Sequence, residues 1–316
     1  MTPVGGNPDT AGAFRQAGIR ENLILRQEVF RAVRRFFRQA GFIEAETPLR
    51  LRAPAPERHI DHVGCGEHFL QASPELHMKR LLCAGYDRIF QICKCFRNGE
   101  RSDLHLPEFT MLEWYQADAD YRLLMEQTET LIRFIRRETA GSDTVYFREA
   151  EIDLAPPFYK IQLADAFRDI AGSDMEEALS EDRFEETLCF SVEPGLNNDR
   201  PVFLHGYPLA HTPLAKSVPD RPGEAQRFEL YLGGIEICNG YTELTDPALQ
   251  AIRFKEENAA RRRSGRSEIP LPERFLTDMH AMPAASGCAL GLDRLVMVLA
   301  DAPSIDDVVA FVPEEE

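Results

Sequence analysis

Two arginines and a set of glutamates carry the chemistry that this 316-residue sequence can support. The stretch "FRNGERSDLHLPEFTMLEWY" (96–115) puts Arg97 at the end of an apolar run, His105 in a polar loop and Glu113 in an alternating segment. A guanidinium presents a planar fork of donors, so Arg97 with His105 suits an anion such as phosphate or carboxylate. Read as a strand, 108–115 turns Phe109, Met111, Glu113 and Tyr115 to one face. Glu108, Thr110, Leu112 and Trp114 then face the other way. An ionised Glu113 between Met111 and Tyr115 needs a partner. That partner is either an internal salt bridge or a bound cation.

A second set lies in "RFELYLGGIEICNGYTEL" (227–244). A two-residue turn at Gly233-Gly234 sets Tyr231 opposite Glu236, with Glu229 on the same face. Glu236 and Glu243 are seven apart, an odd spacing that a regular strand sends to opposite faces. A turn or bulge at Asn239-Gly240 would bring them back to one. Three glutamates on one surface repel and ask for cations. Their hard oxygens suit Mg²⁺, which commonly bridges substrate phosphates; the plainer alternative is a solvated acidic face. In "GCALGLDRLVMVLA" (287–300), Gly287 and Gly291 let the backbone approach a ligand closely. Arg294 follows at the start of a helix, where the dipole disfavours cations, and reads as a second anion-facing arginine.

The elements that must hold these residues are legible from periodicity. Apolar residues at helical spacing predict a helix over 21–40, ended by Gly41. "FIEAETPLR" reads as a short strand stopped at Pro48. "SPELHMKRLLCAG" predicts a helix with Ser73 at the N-cap, Pro74 at N1 and Gly85 at its end. "RIFQICKCFR" is an apolar strand, and the loop 98–107 makes it one arm of a hairpin. Another amphipathic helix covers 121–141. Residues 150–200 read as small helices in an inserted segment. Strands fall in adjacent pairs without βα alternation, so the expected class is α+β, an antiparallel sheet flanked by helices. Residues 1–18 read as a disordered tail, leaving one domain over 19–316.

Composition narrows the function. No apolar run approaches the roughly 20 residues of a membrane helix, and the N-terminus lacks the apolar region of a signal peptide. The net charge of −16 opposes general nucleic-acid binding. The one basic cluster, "ARRRSGR" (260–266), reads as a solvated helix end. Seven scattered cysteines without a CxxC spacing suit reduced thiols in the cytoplasm.

Together the motifs resemble class II aminoacyl-tRNA synthetases. "GFIEAETPLR" resembles motif 1, with Pro48 at a dimer interface; "FRNGERSDLHLPEFTMLEWY" resembles motif 2 and "GCALGLDRLVMVLA" motif 3. "SPELHMKRLL", "PLA" (213–215) and "RFELYLGGIEICNGYTELTD" resemble the lysyl branch. The catalytic core begins almost at once, without the N-terminal OB domain of a lysyl-tRNA synthetase. In this respect, and in Ala289, the chain is similar to the elongation factor P lysyltransferases.

That resemblance implies a homodimeric, cytoplasmic enzyme using ATP and Mg²⁺. It would activate lysine or (R)-β-lysine as an adenylate and pass it to a lysine of elongation factor P. A stand-alone enzyme charging a tRNA or other amine, which the charge disfavours, is the alternative; a non-catalytic module is a third. The resemblance sets Arg97, Asn98, Gly99, His105, Phe109, Glu236, Ile237, Gly291 and Arg294 around ATP, with Arg97 and Arg294 catalytic. Ser73, Glu75, Glu113, Tyr115, Asn239, Glu243 and Ala289 would hold the amino acid, and Glu229 and Glu236 the metal. Two departures bear on adenine: Gly99 stands where relatives often have glutamate, with Glu100 one later, and Leu106 replaces an asparagine.

Overall fold

A computed structural model describes residues 14–196 and 199–315. Eight strands form the main sheet: β1 Ile43–Glu44, β2 Arg88–Phe96, β3 Glu108–Ala117, β4 Tyr159–Gln162, β5 Val202–His205, β6 Arg227–Leu232, β7 Ile235–Thr242 and β8 Ala285–Gly291. Their spatial order is β1-β2-β3-β8-β7-β6-β5-β4. The inner pairings are antiparallel, and only the edge pairs β1/β2 and β4/β5 are parallel. The α+β expectation holds.

Alternation divides the work of each strand between two faces. On β3, Leu112 and Trp114 point into the large core, where Phe37 stacks on Phe90 at 4.7 Å and tilts against Trp114. Helices α1 (Arg20–Gln39), α3 (Tyr121–Ala140) and α5 (Leu292–Leu299) supply the rest of that core. The α1 stripe of Val29, Ala32, Val33 and Phe37 is fully buried, the reason an amphipathic 20-residue segment is helical here. Asp120 caps α3 through the Arg122 and Leu123 N–H groups. The opposite face of β3 carries Glu113 and Tyr115 beneath α2 (Glu75–Cys83). The helix starts one residue later than expected, with Pro74 at its N-cap, but the Ser73 oxygen still accepts from the Glu75 N–H at 3.0 Å.

Three sequence expectations need correction. Of the expected tail, residues 1–13 lie outside the described residues. Arg15–Gly18, however, form a helical turn, and Arg15 reaches Glu315 and the Asp306 carbonyl. The basic run 260–266 ends α4 (Pro247–Arg263), but it is not simply solvated. Arg261 is 3% exposed, and it donates to the Glu57 and Ile60 carbonyls at 2.8 and 2.5 Å. Those partners lie 200 residues away in sequence. Finally, Asn239-Gly240 is neither a turn nor a bulge. Both pair regularly with Glu229 and Phe228, and the register shifts at Ile237 instead. Gly240 is small for another reason: a Cβ there would sit 2.7 Å from the Phe228 ring.

The segment after β4 contributes three short helices, Leu163–Asp169, Met175–Ser180 and Phe184–Thr187. They close a second core in which Phe167 stacks on Phe184. Among the described residues no helix is long and apolar enough to cross a membrane.

Candidate active site

Four paired positions lie in one transverse row of the sheet: Glu229 on β6, Asn239 on β7, Ala289 on β8 and Glu113 on β3. Directly opposed residues project to the same face, so the row joins the two motif hairpins across the small side chain of Ala289. An open nucleotide-side cavity and a buried carboxylate cluster flank it.

The cavity holds about 280 Å³ and is lined by Arg97, Glu100, His105, Leu106, Phe109, Glu229, Glu236, Ile237, Asn239, Ala289, Gly291 and Arg294, among others. Most of the expected ATP residues therefore meet. Arg97 lies 5.2 Å over the Phe109 ring, and its buried Nε has no partner. A guanidinium with an unused buried donor beside an aromatic face fits a nucleotide phosphate next to its base. Asn98 and Gly99 do not line the cavity; Glu100 does, so the carboxylate displaced by one position still arrives. Gly99 has φ +77°, a turn conformation that glycine adopts freely. Leu106 covers the cavity with an apolar side chain.

Arg294 donates to the carbonyl and carboxylate of Glu236, both at 2.9 Å, and to His105 Nε2 at 2.5 Å. Arg294 has no acceptor to offer, so Nε2 accepts, and Nδ1–H donates to the Ser102 oxygen at 2.8 Å. Burial and then Arg294 hold the His105 pKa below its ordinary value. His105 thus lines the cavity in contact with Arg294. Asp293, missed in the sequence, is 2% exposed. It ties the start of α5 to the Thr110 N–H at 2.6 Å and to Arg26 at 2.5 Å.

Glu229 accepts from Tyr207, Tyr231 and Arg227. Burial, followed by the opposing influence of Arg227 and the repulsion of Glu236, raises its pKa. Among the described residues no group of three or more His, Cys, Asp or Glu side chains could hold a metal ion by itself. Two carboxylates in one phosphate-sized cavity nevertheless fit Mg²⁺, which takes one or two protein carboxylates and completes its shell with phosphates and water. The shift at Ile237 absorbs one residue, so Glu229, Glu236 and Glu243 share a face as expected, but Glu243 lies further along it and pairs with Lys79.

That pair belongs to the carboxylate cluster. Glu113 accepts from Ser73 at 2.5 Å and Tyr115 at 2.8 Å. Glu75 accepts from Tyr241 at 2.6 Å and pairs with Lys79, whose ammonium also lies 2.5 Å from Glu243. Lys79 and Glu243 are each 1% exposed; Lys79 meets one Glu243 oxygen, and the other has no hydrogen-bonding partner. Burial and then the neighbouring Glu75 push Glu113 up to about 8; burial likewise raises Glu243 despite Lys79. One lysine faces three carboxylates, so the cluster is short of positive charge. Gly287 serves this cluster rather than a ligand: a Cβ would sit 2.2 Å from Tyr115 and 2.6 Å from Glu243.

Lys79 and Tyr241 were missed. Lys79 follows Glu75 by four on a helix, a pairing that spacing alone reveals. Tyr241 alternates with Asn239 and Glu243.

This fold and the three motif regions belong to the tRNA synthetase class II family (D, K and N), whose pattern matches residues 11–315. The chain is a member of that family. Within it, the chain is 37% identical to the elongation factor P (R)-β-lysine ligase of Edwardsiella ictaluri, over 92% of this chain and 94% of that one. For the same ligase of Erwinia tasmaniensis the figures are 37%, 96% and 98%. The lysine–tRNA ligase of Burkholderia vietnamiensis is 35% identical over 96% of this chain. The chain spans only 64% of that relative's length.

Proposed function

We propose that this chain uses ATP to activate a lysine-type amino acid and transfers it to a lysine side chain of elongation factor P. The observation that carries the reading is the buried set of Glu75, Glu113 and Glu243 at one end of a row that reaches the Arg97 cavity. A diamine supplies the positive charge that this set lacks. Ionised Glu113 and Glu243 would then face its ammonium groups, and Ser73, Tyr115 and Tyr241 would orient the carboxylates. The substrate carboxylate, held near Ala289 and Asn239, would attack the α-phosphate. Arg97 would stabilise the charge that develops there, and Arg294, steadied by His105, the departing phosphates. Proximity suffices for this step, since the nucleophile belongs to the substrate. Glu229 and Glu236 would hold Mg²⁺, which neutralises phosphate charge when bound.

The net charge of −16 and the extended similarity to the two elongation factor P ligases support a protein acceptor over tRNA. Exposed Ile43 and Leu49, beside Pro48 at the sheet edge, support a homodimer. The charge and free cysteines suit the cytoplasm. Similarity to a lysine–tRNA ligase sustains one rival, charging of tRNA. Incubation with ATP, Mg²⁺, each lysine isomer and either elongation factor P or lysine tRNA separates the two. A mass gain of one lysyl group on the factor is expected. An unmodified factor beside charged tRNA would establish the rival.

A further inference from the structure

A second cavity of about 300 Å³ lies beside the first and shares Glu57, Ile60, Arg227, Glu229 and Glu236 with it. Its far wall is the inserted segment, including Phe184 and Glu185, together with His211. Glu57 stands in the shared wall. Its carboxylate has no hydrogen bond or ion pair with any described residue, and the half-buried side chain lines both cavities. Four charged side chains exert the strongest influence on it: Glu75, Arg97, Glu257 and Lys79. Tyr241 and Arg261 also face it. Glu57 lines the first cavity together with Arg97, Asn239 and Ala289, so it borders the space where an adenylate's carbonyl would sit.

The loop carrying Glu57 is held from α4. Arg261 binds the Glu57 carbonyl, and Glu257 accepts from the Arg58 N–H at 2.8 Å and from its guanidinium. The basic run left over from the sequence thus has a use: Arg261 and Arg266 help to fix the loop that carries Glu57.

We propose that Glu57 takes the proton from the acceptor's lysine ammonium, which enters through the second cavity. The proposal rests on the transferase reading above. The ammonium gives its first proton to the Glu57 carboxylate. The freed nitrogen lone pair attacks the adenylate carbonyl, forming the C–N bond. The bond between carbonyl carbon and phosphate oxygen breaks, and AMP leaves with that electron pair. The nitrogen's second proton passes to the departing phosphate. Two features suit the task. The second cavity is rich in carboxylates, which draws an ammonium inward. Burial, then the neighbouring Glu75, raises Glu57 to about 7, where a general base works best.

The test is Glu57→Gln in single-turnover transfer from preformed adenylate. Transfer to elongation factor P is expected to fall on the order of 100-fold more than ATP–pyrophosphate exchange does. The wild-type transfer rate is expected to rise as pH rises through about 7, where Glu57 ionises, and the variant to lose that inflection. Hydroxylamine, an amine already neutral at working pH, should discharge both adenylates at equal rates. Equal loss with hydroxylamine, equal loss of exchange, or an unchanged pH profile would overturn the role. A wild-type protein that exchanges pyrophosphate but never modifies the factor would instead refute the transferase reading, and this role with it.

Discussion

The two ends of the site handle charge in opposite ways. Around Arg97 and Arg294, cations and anions are mixed and partly open to the cavity. Glu236 answers Arg294, and Arg97 keeps an unused donor. Around Glu113 and Glu243, one buried lysine pairs with two of three carboxylates, Glu75 and Glu243. The first end is arranged before a ligand arrives. The second is held in a partly protonated state that a doubly charged ligand would complete. Alterations at the first end should therefore cost activity with little stability, whereas at the second they should cost both.

The largest expected effect lies at the buried end. Among the described residues Lys79 is the one cation paired with Glu75 and Glu243, so Lys79→Met breaks a buried pair, which costs about 3–5 kcal/mol. Denaturant unfolding should show that loss, and more of it at pH 8 than at pH 5, where the carboxylates can protonate. Stability like that of the wild type at both pH values would break the comparison. Next comes Arg97→Ala, with pyrophosphate exchange down by roughly 100- to 1,000-fold and an unfolding midpoint close to the wild type's. A large drop in midpoint would make Arg97 a structural residue.

How far these ends could be seen in the sequence follows from how local their signals are. The two faces of β3 follow from alternation, so Glu113 was separated from Trp114 correctly. The Gly233-Gly234 hairpin likewise set Tyr231 opposite Glu236. The change of phase after Glu236 was legible but misplaced by a few residues, because Asn239-Gly240 carries a turn signal while the glycine actually makes room for Phe228. Arg261 was read as solvated because its carbonyl partners come from a distant loop. Glu57 left no signal for the same reason: its importance arises only where two cavities meet.

A smaller effect would sharpen the join between the ends. Ala289→Gly removes the methyl group between Asn239 and Glu113 in the transverse row. The ratio of exchange rates should shift toward α-lysine by roughly tenfold, the lower range for one carbon in a pocket. An unchanged ratio would place isomer choice elsewhere.

The most direct measurement concerns the protons on the carboxylate cluster. Glu113 stands at about 8 in the folded chain, above its ordinary value of 4.5, and Glu243 is also raised. A raised carboxylate stabilises the folded state at low pH, and that contribution is lost as pH climbs from about 4.5 through about 8. A bound diamine reverses the preference by favouring the ionised form. Lysine or β-lysine should therefore bind more tightly as pH rises toward 8, and at pH 7 binding should release protons. Calorimetric titration at pH 7 in buffers of different ionisation enthalpy reads this release directly. Proton release that disappears in Glu113→Gln is the expected result. Binding heats independent of the buffer would contradict a cluster that becomes charged only with its ligand.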